Sequence, residues 1–297
     1  MEIAPFIVRL EQQLQTIEQQ VIELLAASTL KKRYKDPSSL VVIIGYDYFW
    51  DTADEKQKHS QLKLLRKYSS WFEHLQMIFY DSPEATQKQI RDTDKRIRTL
   101  IEKRNDPFIP STINEAKRIF REQIQIFYTL LQVFKTSDQV EIILVPDTNA
   151  LIKAPDVASY GAAIGQADYT VVILPTVLSE LDKLKITHRS EEFRGKVESV
   201  IRRLKGLRQQ GNIHEGVTVN RVVTVKMIAQ EPDFKKTLSW LDPQNNDDRI
   251  IAATLEVQRE EPSSIVVLVT NDINHQNKAE MANLPFIEPP DTSTSSS

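Results

Sequence analysis

Four short runs in the second half of the chain consist mainly of apolar residues at consecutive positions, and they restrict the fold more than any other feature. They span residues 140–145, 169–174, 221–225 and 265–270, and helical patterns separate them at 175–186, 191–209 and 247–260. A strand without polar alternation is buried on both faces, as in a parallel sheet covered by helices. The second half is therefore predicted to be an α/β domain with a mostly parallel sheet sandwiched by helices.

The first half has a different period. Apolar residues recur at helical spacing over 4–27, 52–80, 84–103 and 111–135, which predicts a mainly α-helical region. The short run 40–44 fits either a strand or a buried turn of helix, and periodicity does not separate the two. We predict three segments: an α-helical domain over 1–137, the α/β domain over 138–290 and a disordered Ser/Thr tail over 291–297.

Composition excludes several classes of site. The 297 residues include no cysteine, so any metal must be bound by oxygen or imidazole. No stretch has the roughly 20 apolar residues of a membrane span, and the first residues do not have the layout of a secretion signal. We therefore expect a cytosolic protein without a membrane partner. The net charge of -3 argues against a uniformly basic surface for nucleic acid.

Four acidic residues follow the predicted strands or begin the predicted helices: Asp147, Glu180, Asp248 and Asp272. Ligands of parallel sheets bind at the carboxyl ends of the strands, where these side chains could converge. Carboxylates packed together without a cation repel one another, so a divalent-metal site is the simplest explanation. Each residue taken alone also has an ordinary explanation, as a helix cap, a turn residue or a solvated surface acid.

The order of four motifs carries a resemblance to a known family. Asp-Thr-Asn follows the first strand, Pro-x-x-x-x-Glu-Leu begins a helix, Asn-Asp-Asp-Arg-Ile-Ile-Ala-Ala begins a later helix, and Val-Thr-Asn-Asp follows the last strand. Residues 138–288 resemble a PIN domain, in particular those joined to PhoH-type ATPases and those of nonsense-mediated-decay endonucleases. The first half carries no such resemblance.

The resemblance implies an endoribonuclease that depends on Mg²⁺ or Mn²⁺ and leaves 5′-phosphate and 3′-hydroxyl ends. It assigns both catalysis and metal binding to Asp147, Glu180, Asp248 and Asp272. Asp248 is preferred to its neighbour Asp247 because the acid of the family directly precedes the x-Ile-x-Ala-Ala run. Supporting roles at the site are expected for Thr148, Asn149, Asp247, Thr270 and Asn271.

RNA, most simply single-stranded, is the expected partner, although single-stranded DNA stays open. Basic side chains follow Glu180 along the next two helices and could hold a phosphate backbone, and we select Lys183, Lys185, Arg194 and Arg202. A solvated helix face with Glu-Lys pairs explains them about as well. A regulatory protein partner is expected at the helical first half, and the sequence leaves open whether the chain forms homo-oligomers.

Two other functions compete with the metal-dependent ribonuclease. An aspartyl-phosphate phosphatase or phosphotransferase also places Asp after a first parallel strand, but such phosphatases need a second Asp two residues later, where this chain has Asn149. A catalytically silent PIN-like module that binds RNA or protein is the other alternative. If the nuclease is active, the helical first half could restrain it, as expected of a toxin or a defence effector.

Overall fold

The computed structural model describes residues 3–32, 47–51, 53–105, 109–135 and 140–291. The chain divides into two compact units, Ile7–Thr136 and Ser137–Ser297, and Met1–Phe6 belongs with the second unit. The predicted boundary at 137 and 138 and the open run 40–44 lie outside the described residues. Most of the predicted tail also lies outside them, and its first residue, Asp291, pairs with Lys153 at 3.0 Å.

The first unit is mainly α-helical, as predicted. Its helices are α1 (Phe6–Ala26), α2 (Glu55–Ile78), α3 (Glu84–Glu102) and α4 (Ile113–Gln132). A short antiparallel sheet of β1 (Leu30–Lys32) and β2 (Tyr48–Trp50) accompanies them. The sequence did not predict these strands, because three residues are too few to show a period.

Aromatic side chains fill the core between the helices. The ring of Phe127 on α4 lies 5.3 Å from that of Trp71 and 6.1 Å from that of Phe72, both on α2. The indole N–H of Trp71 donates a hydrogen bond of 2.9 Å to the carbonyl of Leu10 on α1. Buried aromatic rings contribute large apolar area, and the indole has the partner that a buried N–H needs. These aromatic residues of the first half therefore serve packing.

The second unit contains a six-stranded sheet in the order β5-β6-β4-β3-β7-β8. All neighbouring pairs are parallel except β5 and β6. The strands are β3 (Ile142–Pro146), β4 (Tyr169–Ile173), β5 (Val217–Val219), β6 (Val223–Met227), β7 (Ile265–Val269) and β8 (Phe286–Ile287). The four predicted strands are β3, β4, β6 and β7, so the prediction of a mostly parallel sheet is confirmed.

Helices connect the parallel strands. They are α5 (Thr148–Lys153), α6 (Gly161–Ile164), α7 (Pro175–Thr187), α8 (Glu191–Arg208), α9 (Asn246–Glu260) and α10 (Ile273–Met281). From β3 the chain adds β4 and then β6 on one side of the sheet, and afterwards returns to place β7 on the other side. The order of the strands therefore reverses between β3 and β7, which is where sheets of this kind bind ligands.

Candidate functional site

The carboxyl ends of the parallel strands bring the predicted acids to one edge of the sheet. Asp147 directly follows β3, and Asp272 follows β7 after a short turn. Glu180 lies on α7, which leaves β4, and Asp248 lies in the first turn of α9, in the connection between β6 and β7. Because β3 and β7 are adjacent, Asp147 and Asp272 flank the point at which the strand order reverses.

Asp147 has two partners at its two carboxylate oxygens. Oδ1 accepts a hydrogen bond of 2.7 Å from the backbone N–H of Ala150 and so caps α5. Oδ2 lies 3.0 Å from Nδ1 of His275 on α10. The residue is only 1% exposed, and a buried carboxylate needs such partners to stay charged. Asp147 therefore acts as a helix cap and as a member of a cluster.

The start of α9 contributes both members of the adjacent acidic pair. Asn245 caps the helix by accepting from the backbone N–H groups of Asp247 and Asp248. Asp248 is 7% exposed, and its Oδ2 accepts a hydrogen bond of 3.0 Å from the backbone N–H of Asp242. Asp247 is partly exposed, with Oδ1 3.0 Å from Nε2 of His275. Both residues of the pair therefore face α10.

Helix α10 supplies the groups that face these carboxylates. Asp272 caps it, because its Oδ1 accepts from the backbone N–H of Asn274 at 2.7 Å and of His275 at 3.3 Å. Lys278 Nζ lies 2.7 Å from Oδ1 of Asp248 and 3.5 Å from Oδ2 of Asp247. The side chains form a continuous series of opposite charges that runs Asp147, His275, Asp247, Lys278, Asp248.

The ring of His275 is held between two carboxylates. Burial of the imidazole lowers the pKa of His275, but the hydrogen bond to Asp147 and the charges of Asp247, Asp147 and Asp272 raise it. The result is a pKa above the ordinary value of 6.5. The surrounding acids therefore favour the imidazolium form, which is an acceptable partner for two carboxylates.

Glu180 reaches the site through a different partner. Its Oε2 accepts a hydrogen bond from the hydroxyl of Thr148, the residue that follows Asp147. Glu231, in the segment after β6, contacts both helices that carry these acids. It accepts a hydrogen bond of 3.2 Å from the hydroxyl of Thr176 on α7 and pairs with Arg249 on α9 at 2.6 Å. These contacts position the start of α7 against the start of α9.

The predicted supporting residues occupy different positions. The hydroxyl of Thr148 binds Glu180, as described above, and the buried hydroxyl of Thr270 accepts a hydrogen bond of 3.1 Å from the backbone N–H of Asp272. Asn149 and Asn271 are exposed at the same edge. Thr148 and Thr270 therefore orient two of the acids, whereas the two asparagines face solvent.

Comparison with known proteins identifies the family of the C-terminal half. Residues 144–288 match the family model of the PIN domain. The C-terminal half of the chain is a PIN domain. The chain is also 29% identical over 146 residues to Protein PhoH2 of Bacillus subtilis (strain 168). That alignment covers 48% of this chain and 31% of PhoH2, so the chain spans about a third of the length of this relative.

The PIN domain has acids at the predicted edge, but they are not grouped as a metal-binding set. Within the described ranges, no three histidine, aspartate or glutamate side chains come together as a group that could hold a metal ion. The repulsion among carboxylates is relieved by His275 and Lys278, two cationic side chains of the protein itself. The sequence predicted that a bound cation would relieve this repulsion, whereas these two side chains already do so in part.

Of the four selected basic residues, Lys183 and Lys185 lie on α7 beyond Glu180, and Arg194 and Arg202 lie on α8. Helix α5 contacts both of these helices. Lys183 is exposed and lies one turn beyond Glu180 on the same flank of α7. Lys185 points toward α8, where its Nζ is 4.0 Å from Glu198, and Arg194 donates to the carbonyl of His188 at 2.6 Å. Arg202 is exposed.

Sequence reasoning assigned no role to three residues of the cluster: Asn274, His275 and Lys278. Asn274 donates to Oδ2 of Asp247 at 3.2 Å. Their signal in the sequence is weak, since lone polar side chains on a short helix are usually solvated. The spacing from the cap could have revealed them, because Lys278 lies one turn after Asn274 and both follow Asp272 on one side of α10.

Proposed function

We propose that this protein is a cytosolic, metal-dependent endoribonuclease that cuts single-stranded RNA at the carboxyl edge of the PIN-domain sheet. The PIN fold is of the nuclease type, which supports hydrolysis of phosphodiester bonds. One observation carries the proposal: His275 and Lys278 on α10 connect Asp147, after β3, to Asp247 and Asp248 on α9. A cluster with an excess of carboxylates at a ligand-binding edge suits a divalent cation.

The donor chemistry fits Mg²⁺ or Mn²⁺. Carboxylate oxygens are the ligands that these hard cations prefer, and the buried Oδ1 of Asp248 has an ionic contact with Lys278 but no hydrogen bond of good geometry. We propose that Asp147, Glu180, Asp248 and Asp272 hold the cation, with Asp247 as the alternative to Asp248. A bound cation would lower the pKa of a water molecule and neutralise charge that develops on the phosphate.

The protein side chains would then bind and orient the RNA. Lys183 and Arg202 are exposed cationic groups on the helices beside the acids, and they would hold phosphates by charge. In the hydrolysis, the oxygen of water bonds to phosphorus and the bond to the 3′ oxygen breaks. The products are a 3′-hydroxyl end and a 5′-phosphate end.

A catalytically silent PIN module that binds RNA or protein is the second candidate. It is favoured by one observation: within the part of the chain that the structure describes, His275 and Lys278 occupy the carboxylates and no metal-binding group is preformed. The phosphotransferase alternative has less support, because Asn149 stands where the acid/base would be.

One assay separates these candidates. Labelled single-stranded RNA and DNA are incubated with purified protein and Mn²⁺, Mg²⁺ or a chelator, and the product ends are mapped. The proposal expects internal cuts with either cation and none with chelator, and 5′-phosphate ends. RNA binding without any cleavage would instead support the silent module, whereas turnover of a chromogenic phosphate ester would support a phosphatase.

The helical first unit is proposed to restrain the nuclease, as in a toxin or defence effector, or to bind a regulatory protein. Expression of the intact chain beside a variant that carries Asp147→Asn tests the first idea. Equal growth of both cultures would be expected of a restrained nuclease, and slower growth with the unchanged chain would indicate unrestrained cleavage.

A further inference from the structure

Helix α10 presents three polar side chains on one side to the carboxylates of the PIN domain. Asn274 and Lys278 lie one turn apart, and His275 lies beside them. Asn274 and His275 contact Asp247, whereas Lys278 contacts both Asp247 and Asp248. This short helix therefore supplies the positive charge that the cluster needs in the absence of metal.

Lys278 supplies the ammonium group of this helix. Its side chain is only 17% exposed, and a lysine is rarely buried to this extent without a paired acid. Its partner Asp248 is buried too, and removing one member of such a pair would leave an unpaired charge in a poorly solvated place. In the metal-free protein, Lys278 is therefore the counter-charge of Asp248.

The contact between Lys278 and Asp248 is ionic. Oδ1 of Asp248 lies 2.7 Å from Nζ of Lys278, yet it has no hydrogen bond of good geometry. The other oxygen, Oδ2, is fixed by the backbone N–H of Asp242. A cation that approaches Oδ1 would thus find an oriented carboxylate and would have to compete with the ammonium group.

We propose that Lys278 is a displaceable counter-cation that stabilises the acidic cluster without metal and competes with a divalent cation for Asp248. This inference rests on the metal site of the proposed function. An ammonium group and a divalent cation repel each other, so each weakens the binding of the other at a shared oxygen. The flexible four-carbon stem of lysine allows Nζ to move away while the helix stays in place.

Competition has two consequences of opposite sign. Removing the charge of Lys278 should strengthen metal binding, because the cation no longer displaces an ammonium group. The same change should weaken the metal-free fold, because Asp247 and Asp248 lose their counter-charge. A lysine that merely packs at the site would weaken both when it is replaced.

The test compares Lys278→Met with Lys278→Arg, which keeps the charge, and with Lys58→Met, which removes an exposed lysine paired with Glu55 on α2. Mn²⁺ binding is measured by calorimetry at one pH, and melting is measured in chelator. Lys278→Met should lower the Kd for Mn²⁺ by about tenfold or more and lower the Tm in chelator. The other two variants should bind Mn²⁺ no more tightly than the unchanged protein.

Several results would overturn the proposal. They are unchanged or weaker Mn²⁺ binding by Lys278→Met, absence of Mn²⁺ binding by every variant, and a Lys278→Met chain that stays unfolded with Mn²⁺. A chain that is unfolded in chelator but folds when Mn²⁺ is added would support it. RNA cleavage is assayed separately: tighter Mn²⁺ binding without any cleavage would reject the nuclease while leaving the role of Lys278 in place.

Discussion

Helix α2 in the first unit and helices α5 and α10 in the PIN domain begin in the same way. Asp54, Asp147 and Asp272 each accept a hydrogen bond of 2.7 Å from a backbone N–H of the first turn. Asp54 is exposed, and its cap bond goes to Gln57, three residues along the chain. Asp147 is buried and its second oxygen reaches His275, 128 residues away.

The difference shows that one local structure can serve two purposes. An aspartate at a helix start stabilises the helix in either region, because it satisfies an N–H group that has no intrahelical partner. Only in the PIN domain do adjacent strand ends bring several such residues together. Capping therefore explains why the residues are aspartates, and convergence explains why they could do chemistry.

The largest effect is expected from one substitution made in both regions. Asp147→Asn should reduce RNA cleavage on the order of a thousandfold, which corresponds to about 4 kcal/mol of transition-state stabilisation, because a charged metal ligand is lost. Asp54→Asn should leave cleavage unchanged. Asparagine caps a helix as well as aspartate does, so both variants should keep their helices.

Initial rates of cleavage and circular dichroism check this pair of variants. Full cleavage by Asp147→Asn, or an equal loss in Asp54→Asn, would remove the distinction between the two caps. A matching experiment with Asp272→Asn extends the comparison to α10, where cleavage should fall although the cap remains.

An effect of similar size, on stability instead of cleavage, is expected in the first unit. Phe127→Ala removes a fully buried ring that contacts Trp71 and Phe72, and should lower the free energy of unfolding by about 3–5 kcal/mol. Phe134→Ala, at a partly buried ring against Phe79, is the matched control and should cost less. Urea denaturation followed by circular dichroism measures both, and equal losses would contradict a core centred on Phe127.

The smallest effect concerns a cap that depends on pH. Glu115 near the start of α4 accepts from the hydroxyl and the backbone N–H of Ser111, and these bonds, with the charge of Arg118, hold the pKa of Glu115 below 4.5. A lowered carboxyl pKa stabilises the fold above 4.5, and that stabilisation is lost as the pH falls below it.

Glu115→Gln should therefore melt slightly below the unchanged protein at neutral pH and show the same Tm in acid. Melting curves of both proteins from about pH 6 to about pH 3 check this expectation. A difference in Tm that stays constant over this range would show that the carboxylate charge contributes nothing to the cap.

Much of the fold could be predicted from sequence patterns. The strands β3, β4, β6 and β7 are unbroken apolar runs, and the four long helices of the first unit carry clear apolar stripes. The strands β1, β2, β5 and β8 were missed, since each has only two or three residues and no measurable period. Pairing with a neighbour, rather than local pattern, makes them strands.

The candidate site was predicted in part. The positions of the acids followed from strand ends and helix starts, which are local features of sequence. Sequence reasoning gave His275 and Lys278 no role, because their spacing after Asp272 indicates a shared side of α10 but not which charges that side will face. Lys278 meets Asp248 thirty residues away only because α10 packs against α9.

By itself the sequence determined the alternation of strands and helices, the caps and the order of the acidic motifs, because each depends on residues within about one turn or one strand of one another. Tertiary structure alone decided that Asp147 would be buried against His275, that Asp247 and Asp248 would both face α10, and that protein cations would balance them. The reason is physical: the energy of a carboxylate depends on the charges and the water around it, and packing sets both.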